Sequence, residues 1–200
     1  MNARAALKEW ASTCAGLAAG RPMVLLRKGG VGDSGPGQPD GPFWLVPTWV
    51  HQQEQGLRPE CLELLSQSEK YRGPGGILRL GLVARLVATW EVNDPELLAS
   101  LRPMHAMNDE TVSRRFHYRR PGLRVWLPRV WICSPPVDLA WNSAWDGCVS
   151  WMDLGDSVPV PDGASPAIGE DDLVQAVGIL TGWLGPALEG PFESDGRTTP

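Results

Sequence analysis

Between Leu78 and Val92 every even-numbered position is apolar (Leu78, Leu80, Leu82, Ala84, Leu86, Ala88, Trp90 and Val92), while the odd positions include Arg79, Arg85, Thr89 and Glu91. Successive side chains on an extended chain point to opposite faces, so an alternation of period two sorts apolar from polar residues only in a strand. The run is long for one strand, and Gly81 inside it marks the place for a bend. Such a strand predicts a curled sheet or a small barrel. Leu123 to Cys133 is apolar on the odd positions except Arg129 and reads as a second long strand, interrupted at Pro128.

Around these strands the spacing changes. Leu7, Trp10, Ala11, Cys14 and Leu17 recur every three or four residues and predict a helix from about Ala3 to Ala18, ended by Gly20 and Pro22. Met23 to Leu26 is a short buried strand, and after the Gly- and Pro-rich loop 31–42 the segment Phe43 to Val46 is another. Those two strands read as a long-looped hairpin or as neighbours. Leu57 to Glu69 is a second helix. Asp94 with Pro95, and Asn108 to Thr111, are cap signatures for two short helices, to about Leu101 and over 112–118. Residues 141–154 are Trp-rich and predict no definite element. Glu170, Asp171 and Asp172 open a last helix through Leu173, Val174, Val177, Leu180 and Leu184, with the acids at its positive end. The order predicts an α+β chain: a curled mixed or antiparallel sheet flanked by N- and C-terminal helices, one domain over 1–188 and a flexible tail over 189–200.

Composition excludes several classes. The 200 residues carry a net charge of −5, with 42% hydrophobic and 20% charged residues, which fits a soluble globular chain rather than a disordered one. Residues 1–130 sum to +5 and residues 131–200 to −10. That split gives either a basic face for a polyanion with an acidic part that keeps the chain soluble, or simply two solvated surfaces of opposite sign. Cys14, Cys61, Cys133 and Cys148 lie far apart, so neither a zinc site nor a disulfide framework is indicated and a cytoplasmic location follows. The most apolar segment, Ile77 to Trp90, is interrupted by Arg79 and Arg85, and no membrane passage is expected. Ten Trp and fifteen Arg are the composition's peculiarity, and seven of those Arg fall between 102 and 129.

Ala6-Leu-Lys-Glu-Trp-Ala11, Leu25-Leu-Arg-Lys-Gly-Gly30, Phe43-Trp-Leu-Val-Pro-Thr48 with His51-Gln52, and Gly147-Cys148 with Ser150-Trp151 occur in that order. In these segments, spread over about residues 5–155, the chain resembles the bacterial family known as domain of unknown function 1802. Members of that family sometimes occur alongside restriction-endonuclease domains, which implies a role near DNA. The layout of a sheet with insertions is also similar to the small barrels of the PUA and ASCH kind, which bind RNA or modified bases.

Several segments could carry chemistry. Arg27, Lys28, Gly29 and Gly30 put two cations beside backbone that can approach a phosphate closely, or form an ordinary charged strand end. Thr48, His51 and Gln52 supply a hydroxyl, an imidazole and an amide able to read a base edge, or local hydrogen bonds in a turn. The run Arg114-Arg115-Phe116-His117-Tyr118-Arg119-Arg120, followed by Arg124 and Arg129, interleaves planar cations with aromatic rings, as a nucleic-acid surface does. The competing reading has Phe116 in the core and the arginines neutralising the acidic part. Trp44, Trp49, Trp126, Trp145 and Trp151 are the candidate stacking rings. Cys148, beside Ser150 and Trp151, is either a buried thiol or a nucleophile served by His51 or His105 with Asp146 or Asp153.

No P-loop or dinucleotide fingerprint is present, so no cofactor is expected. No lysine follows Lys70, and neither Lys28 nor Lys70 follows an acid by two positions, so a restriction-type nuclease centre is not expected. The leading reading is a non-catalytic module for DNA or RNA. The alternatives are an enzyme of small phosphorylated or nucleotide-like substrates and a structural or protein-interaction domain.

Overall fold

In the computed structural model, which describes residues 1–28, 41–49, 56–147 and 149–188, the chain runs β1 (Asn2–Trp10), α1 (Ala11–Ala18), β2 (Leu25–Arg27), β3 (Phe43–Thr48), α2 (Glu63–Ser68), β4 (Ile77–Val92), α3 (Asp109–His117), β5 (Leu123–Ala140), β6 (Trp151–Pro159), β7 (Ser165–Pro166) and α4 (Glu170–Leu184). The strands lie in the order β2-β5-β4-β3-β1-β6, with β7 added to β5. β1 and β3 are parallel and the other pairs antiparallel, which makes the sheet mixed. It curls without closing.

The alternating segment is β4, and β5 pairs along its whole length, from Ile77 opposite Ala140 to Val92 opposite Leu123. The ladder shifts register twice, between Leu80 and Leu82 and between Leu86 and Ala88. The first shift contains Gly81, where an added Cβ would lie 3.2 Å from Cδ1 of Tyr71, so a larger residue would press the Tyr71 ring back by a few tenths of an ångström. The second lies at Pro128, opposite Leu86, and proline has no N–H to give a ladder. Bent at both places, β4 is covered on two faces: Leu82, Ala84 and Leu86 face one core, Val83 a second, and Val87, Trp90 and Val92 a third. The half-buried strand expected from the pattern is therefore buried along most of its length.

The helix expected over 3–18 is confined to α1. Residues 2–10 form β1, held between two partners, with Ala6 opposite Trp44 and Met152, and Leu7 opposite Leu45 and Trp151. Pairing on both edges outweighs the helical preference of Ala, Leu, Lys and Glu, and small Ala3 and Ala6 fit where neighbouring layers press close. β2 and β3 are likewise not neighbours. β2 pairs with β5, with Arg27 opposite Arg124, while β3 is inserted between β1 and β4. A strand buried on both faces, as β3 is, takes its neighbours from the sheet and not from the nearest strand in sequence. The Trp-rich stretch carries a 3-10 turn at Ser143–Trp145 and then β6, a strand whose alternation is masked by Asp153, Gly155 and Asp156.

The other helical segments follow their caps. Asp94 accepts from the Glu96 N–H ahead of a 3-10 segment, Pro95–Met104, and Asn108 accepts from the Thr111 N–H ahead of α3. α4 buries Leu173 and Leu180 as expected and Ala176 with them, Val177 and Leu184 are partly buried, and Val174 faces solvent. The tail 189–200 and most of the loop 31–42 lie outside the described residues.

His105, after the 3-10 segment, is buried, and its pKa is lowered to about 4, first by burial and then by the charge of Arg58. A histidine whose folded pKa lies below its unfolded value gives stability that is full above pH 6.5 and is lost as pH falls toward 4. Thermal unfolding over pH 7 to 4 is expected to show a loss of about 3 kcal/mol from this group, and His105→Gln to flatten that part of the profile. An unchanged slope in the variant would contradict the assignment.

Candidate nucleic-acid interface

α3 is tethered by Phe116, which is buried among Leu123, Val125 and the inner face of α4. Phe116 is therefore core, and the arginines around it are left on the outside. Beyond His117 the chain turns sharply, with Arg119 at φ 63° and Gly122 at φ 122°. At Gly122 the positive φ favours glycine, and an added Cβ would lie 2.8 Å from Oδ1 of Asn93, so that side chain would have to turn away.

Lys28 sets the shape of that turn. Its Nζ donates to the carbonyls of Phe116 at 2.6 Å and Gly122 at 2.8 Å, and to that of Arg120. The three ammonium hydrogens thus go to three backbone oxygens, one of them an orphan carbonyl of the helix C-terminus. Burial, and next the charge of Arg120, lowers the Lys28 pKa. Lys28 is consequently a clamp that shapes the backbone, rather than a cation offered to a phosphate. Arg115 also faces inward: Nη1 donates to the Leu26 carbonyl at 2.7 Å, and the guanidinium lies 5.8 Å from the Trp10 ring centre.

The other cations of the run point outward. Arg114, Arg119 and Arg120 are exposed and, among the described residues, have no carboxylate partner. Nine arginines elsewhere each pair with an acid, as Arg4 does with Asp153, Arg79 with Asp138 and Arg129 with Glu170. Only Arg85, among the remaining described arginines apart from Arg115, is likewise exposed without a carboxylate. Arg124 is paired, with its Nε 3.4 Å from Glu91. Tyr118, 56% exposed, carries the Arg119 guanidinium 5.2 Å from its ring centre. Beside the turn is a cavity of about 310 Å³ lined by Lys28, Glu91, Asn93 and residues 120–124.

The remaining candidates gather elsewhere, at the C-terminal end of β1. Glu9 is buried, with Oε1 accepting from the Trp10 N–H at 2.7 Å and Oε2 3.8 Å from Nη1 of Arg27. Arg27 lies over Trp126, and Trp126 leans on Trp151 with ring centres 6.4 Å apart. The Thr48 hydroxyl donates to the Glu9 carbonyl at 3.1 Å, and the Ser150 carbonyl accepts from the Lys8 N–H. Arg27 and Thr48 therefore meet at Glu9, which sequence spacing alone does not single out, while Ser150 and Trp151 sit against its neighbours Lys8 and Leu7. The signal was present in Lys8-Glu9-Trp10, a charged pair before an aromatic inside a strand of small apolar residues. Gly29, Gly30, His51, Gln52 and Cys148 lie outside the described residues.

The sequence matches the model of a family described as a domain of unknown function, DUF1802, over residues 6–177. The chain belongs to this family. Both the Glu9 cluster and the Lys28 clamp lie inside the DUF1802 region. No curated protein matches the sequence. Among solved structures the DUF1802 chain is similar to the ASCH protein of Zymomonas mobilis, at 12% identity over 75% of this chain and 86% of that one, with a TM-score of 0.42. A point mutant of the same protein gives 10% identity over 75% and 88%, with a TM-score of 0.43. Neither likeness is close enough to carry a function across.

The tryptophans named as stacking rings are placed differently from that expectation. Trp44, Trp126 and Trp145 are buried, and Trp49 gives its N–H to Ser68 while Arg72 covers its ring at 3.8 Å. Among the described residues, Tyr118 and Trp141 are the exposed tyrosine and tryptophan rings. Cys14 and Cys133 are buried, with their thiol pKa values pushed up by burial, which makes them poor nucleophiles. The described residues contain no group of acids, histidines and cysteines able to hold a metal, and no helix among them is long and apolar enough to cross a membrane.

Removing one partner of a buried ion pair leaves the other charge stranded, at a cost of about 3–5 kcal/mol. Glu9→Ala and Arg27→Ala are each expected to lose about that much in urea unfolding, and the double variant less than the sum of the two. Additive losses would show that the two side chains do not interact.

Proposed function

We propose that this chain is a non-catalytic nucleic-acid-binding module that grips a single strand along Arg114, Arg119 and Arg120, with Tyr118 stacking on a base. The observation that carries the reading is the uncompensated charge on the turn held by Lys28. Most arginines of this acidic protein are matched by their own carboxylates, whereas three exposed ones without such a partner among the described residues fall within 114–120, the segment that carries the exposed Tyr118. Guanidinium forks suit phosphate oxygens, and an aromatic face accepts any base. Three acids of the C-terminal part are engaged elsewhere, Asp138 with Arg79, Asp153 with Arg4 and Glu170 with Arg129.

A single strand binds here in preference to a duplex, because a base must leave its stack to meet Tyr118. Both DNA and RNA present the same phosphates and rings, and the reading covers both. Binding of labelled single- and double-stranded oligonucleotides over a salt series checks it. Three phosphate contacts predict a slope of log K against log salt of about −2 for a single strand. The pair Arg119→Ala and Arg120→Ala is expected to bring the slope to about −1 and to weaken binding to every sequence alike. Absence of binding at low salt, or a slope unmoved by the substitutions, would overturn the reading.

A further inference from the structure

The cavity beside the clamped turn has a composition that a phosphate does not suit. Arg120 and Arg124 bring guanidinium groups to it, but Glu91 brings a carboxylate and Asn93 a carboxamide, with Pro121 and Leu123 as apolar wall. Glu91 and Arg124 face each other across β4 and β5, joined by a single long contact of 3.4 Å between Oε1 and Nε. Among the described residues, Oε2 of Glu91 and the terminal nitrogens of Arg124 have no hydrogen-bond partner. A bare anion would gain the cations and be repelled by Glu91. A neutral planar ring with adjacent N–H donors on one edge and acceptors on the next would satisfy all of these groups together.

The volume of about 310 Å³ is at the small end of ligand sites and suits a single nucleobase rather than a larger molecule. Guanine matches the set. Its N1–H and N2–H donate side by side, as a carboxylate requires, and its O6 and N7 accept from an arginine fork. Adenine and cytosine each offer a single exocyclic amine beside a ring acceptor. Uracil and thymine flank their one N–H with carbonyls that would face the Glu91 carboxylate.

We infer that this cavity takes a guanine base turned out of a single strand, with Glu91 reading the N1–H and N2–H edge and Arg124 the O6 and N7 edge. The inference rests on the nucleic-acid reading: the phosphates lie along Arg114, Arg119 and Arg120, and the cavity gives the otherwise unselective strand a preferred base.

Fluorescence anisotropy on short oligothymidylates carrying one central dG, dA, dC, dT or deoxyinosine tests it without altering the protein. The dG strand is expected to bind about tenfold more tightly than the dT strand. Deoxyinosine, which lacks the N2 amine, is expected to lose most of that gain. Glu91→Gln, an exposed substitution checked by its melting temperature, is expected to bring dG to the dT level while leaving dT binding in place. If all five strands bind equally, or the dG preference survives Glu91→Gln, the inference is overturned while the nucleic-acid reading stands. If no strand binds at low salt, both fall.

Discussion

Strands β4 and β5 pair from Ile77 opposite Ala140 to Val92 opposite Leu123, and a ladder of that length encloses a core only by bending. Gly81 supplies one bend by letting the chain pass close to Tyr71, and Pro128 the other by withholding a backbone donor. The curl that follows divides the apolar residues into three groups: one with α1 and α2, one under α3 and α4, and one toward β6. It also brings β2, an edge strand, against the end of β1, although the two lie at opposite sides of the strand order. The ion pair of Glu9 and Arg27 spans that approach, and its burial explains why two charges sit among tryptophans.

Arg27 and Lys28 are adjacent in sequence and both turn inward, one to a carboxylate and the other to three carbonyls. Neither is available to a ligand as a phosphate-binding cation. What Lys28 does is hold the turn on which Arg119 and Arg120 stand. A flexible turn would lose those side chains' alignment to entropy, whereas a fixed one presents them in one arrangement. The basic surface therefore depends on a lysine that does not belong to it.

The long strands, both short caps and α4 were legible because each depends on local chemistry: an alternation, an Asp or Asn ahead of a first turn, acids at a positive helix end. β1 was not legible, since Leu7, Trp10, Ala11, Cys14 and Leu17 keep helical spacing through a segment whose first part takes its conformation from β3 and β6. The basic run was visible as composition, but the division of its arginines was not. Arg115 and Arg114 are neighbours in sequence, yet one is engaged with β2 and the other faces solvent. The tryptophans misled for a related reason, because a ring's value for stacking depends on burial, and burial comes from partners distant in the chain. Glu9 drew no attention as a lone acid, and only its meeting with Arg27 gives it a role.

On the proposed reading, the turn held by Lys28 is the contact surface for a single strand. Photo-crosslinking with a 4-thiouridine-labelled oligonucleotide, followed by mass spectrometry of the linked peptides, tests this most directly. Adducts are expected within residues 114–124, led by Tyr118. Adducts that fall instead around Trp141, with none in that segment, would contradict it.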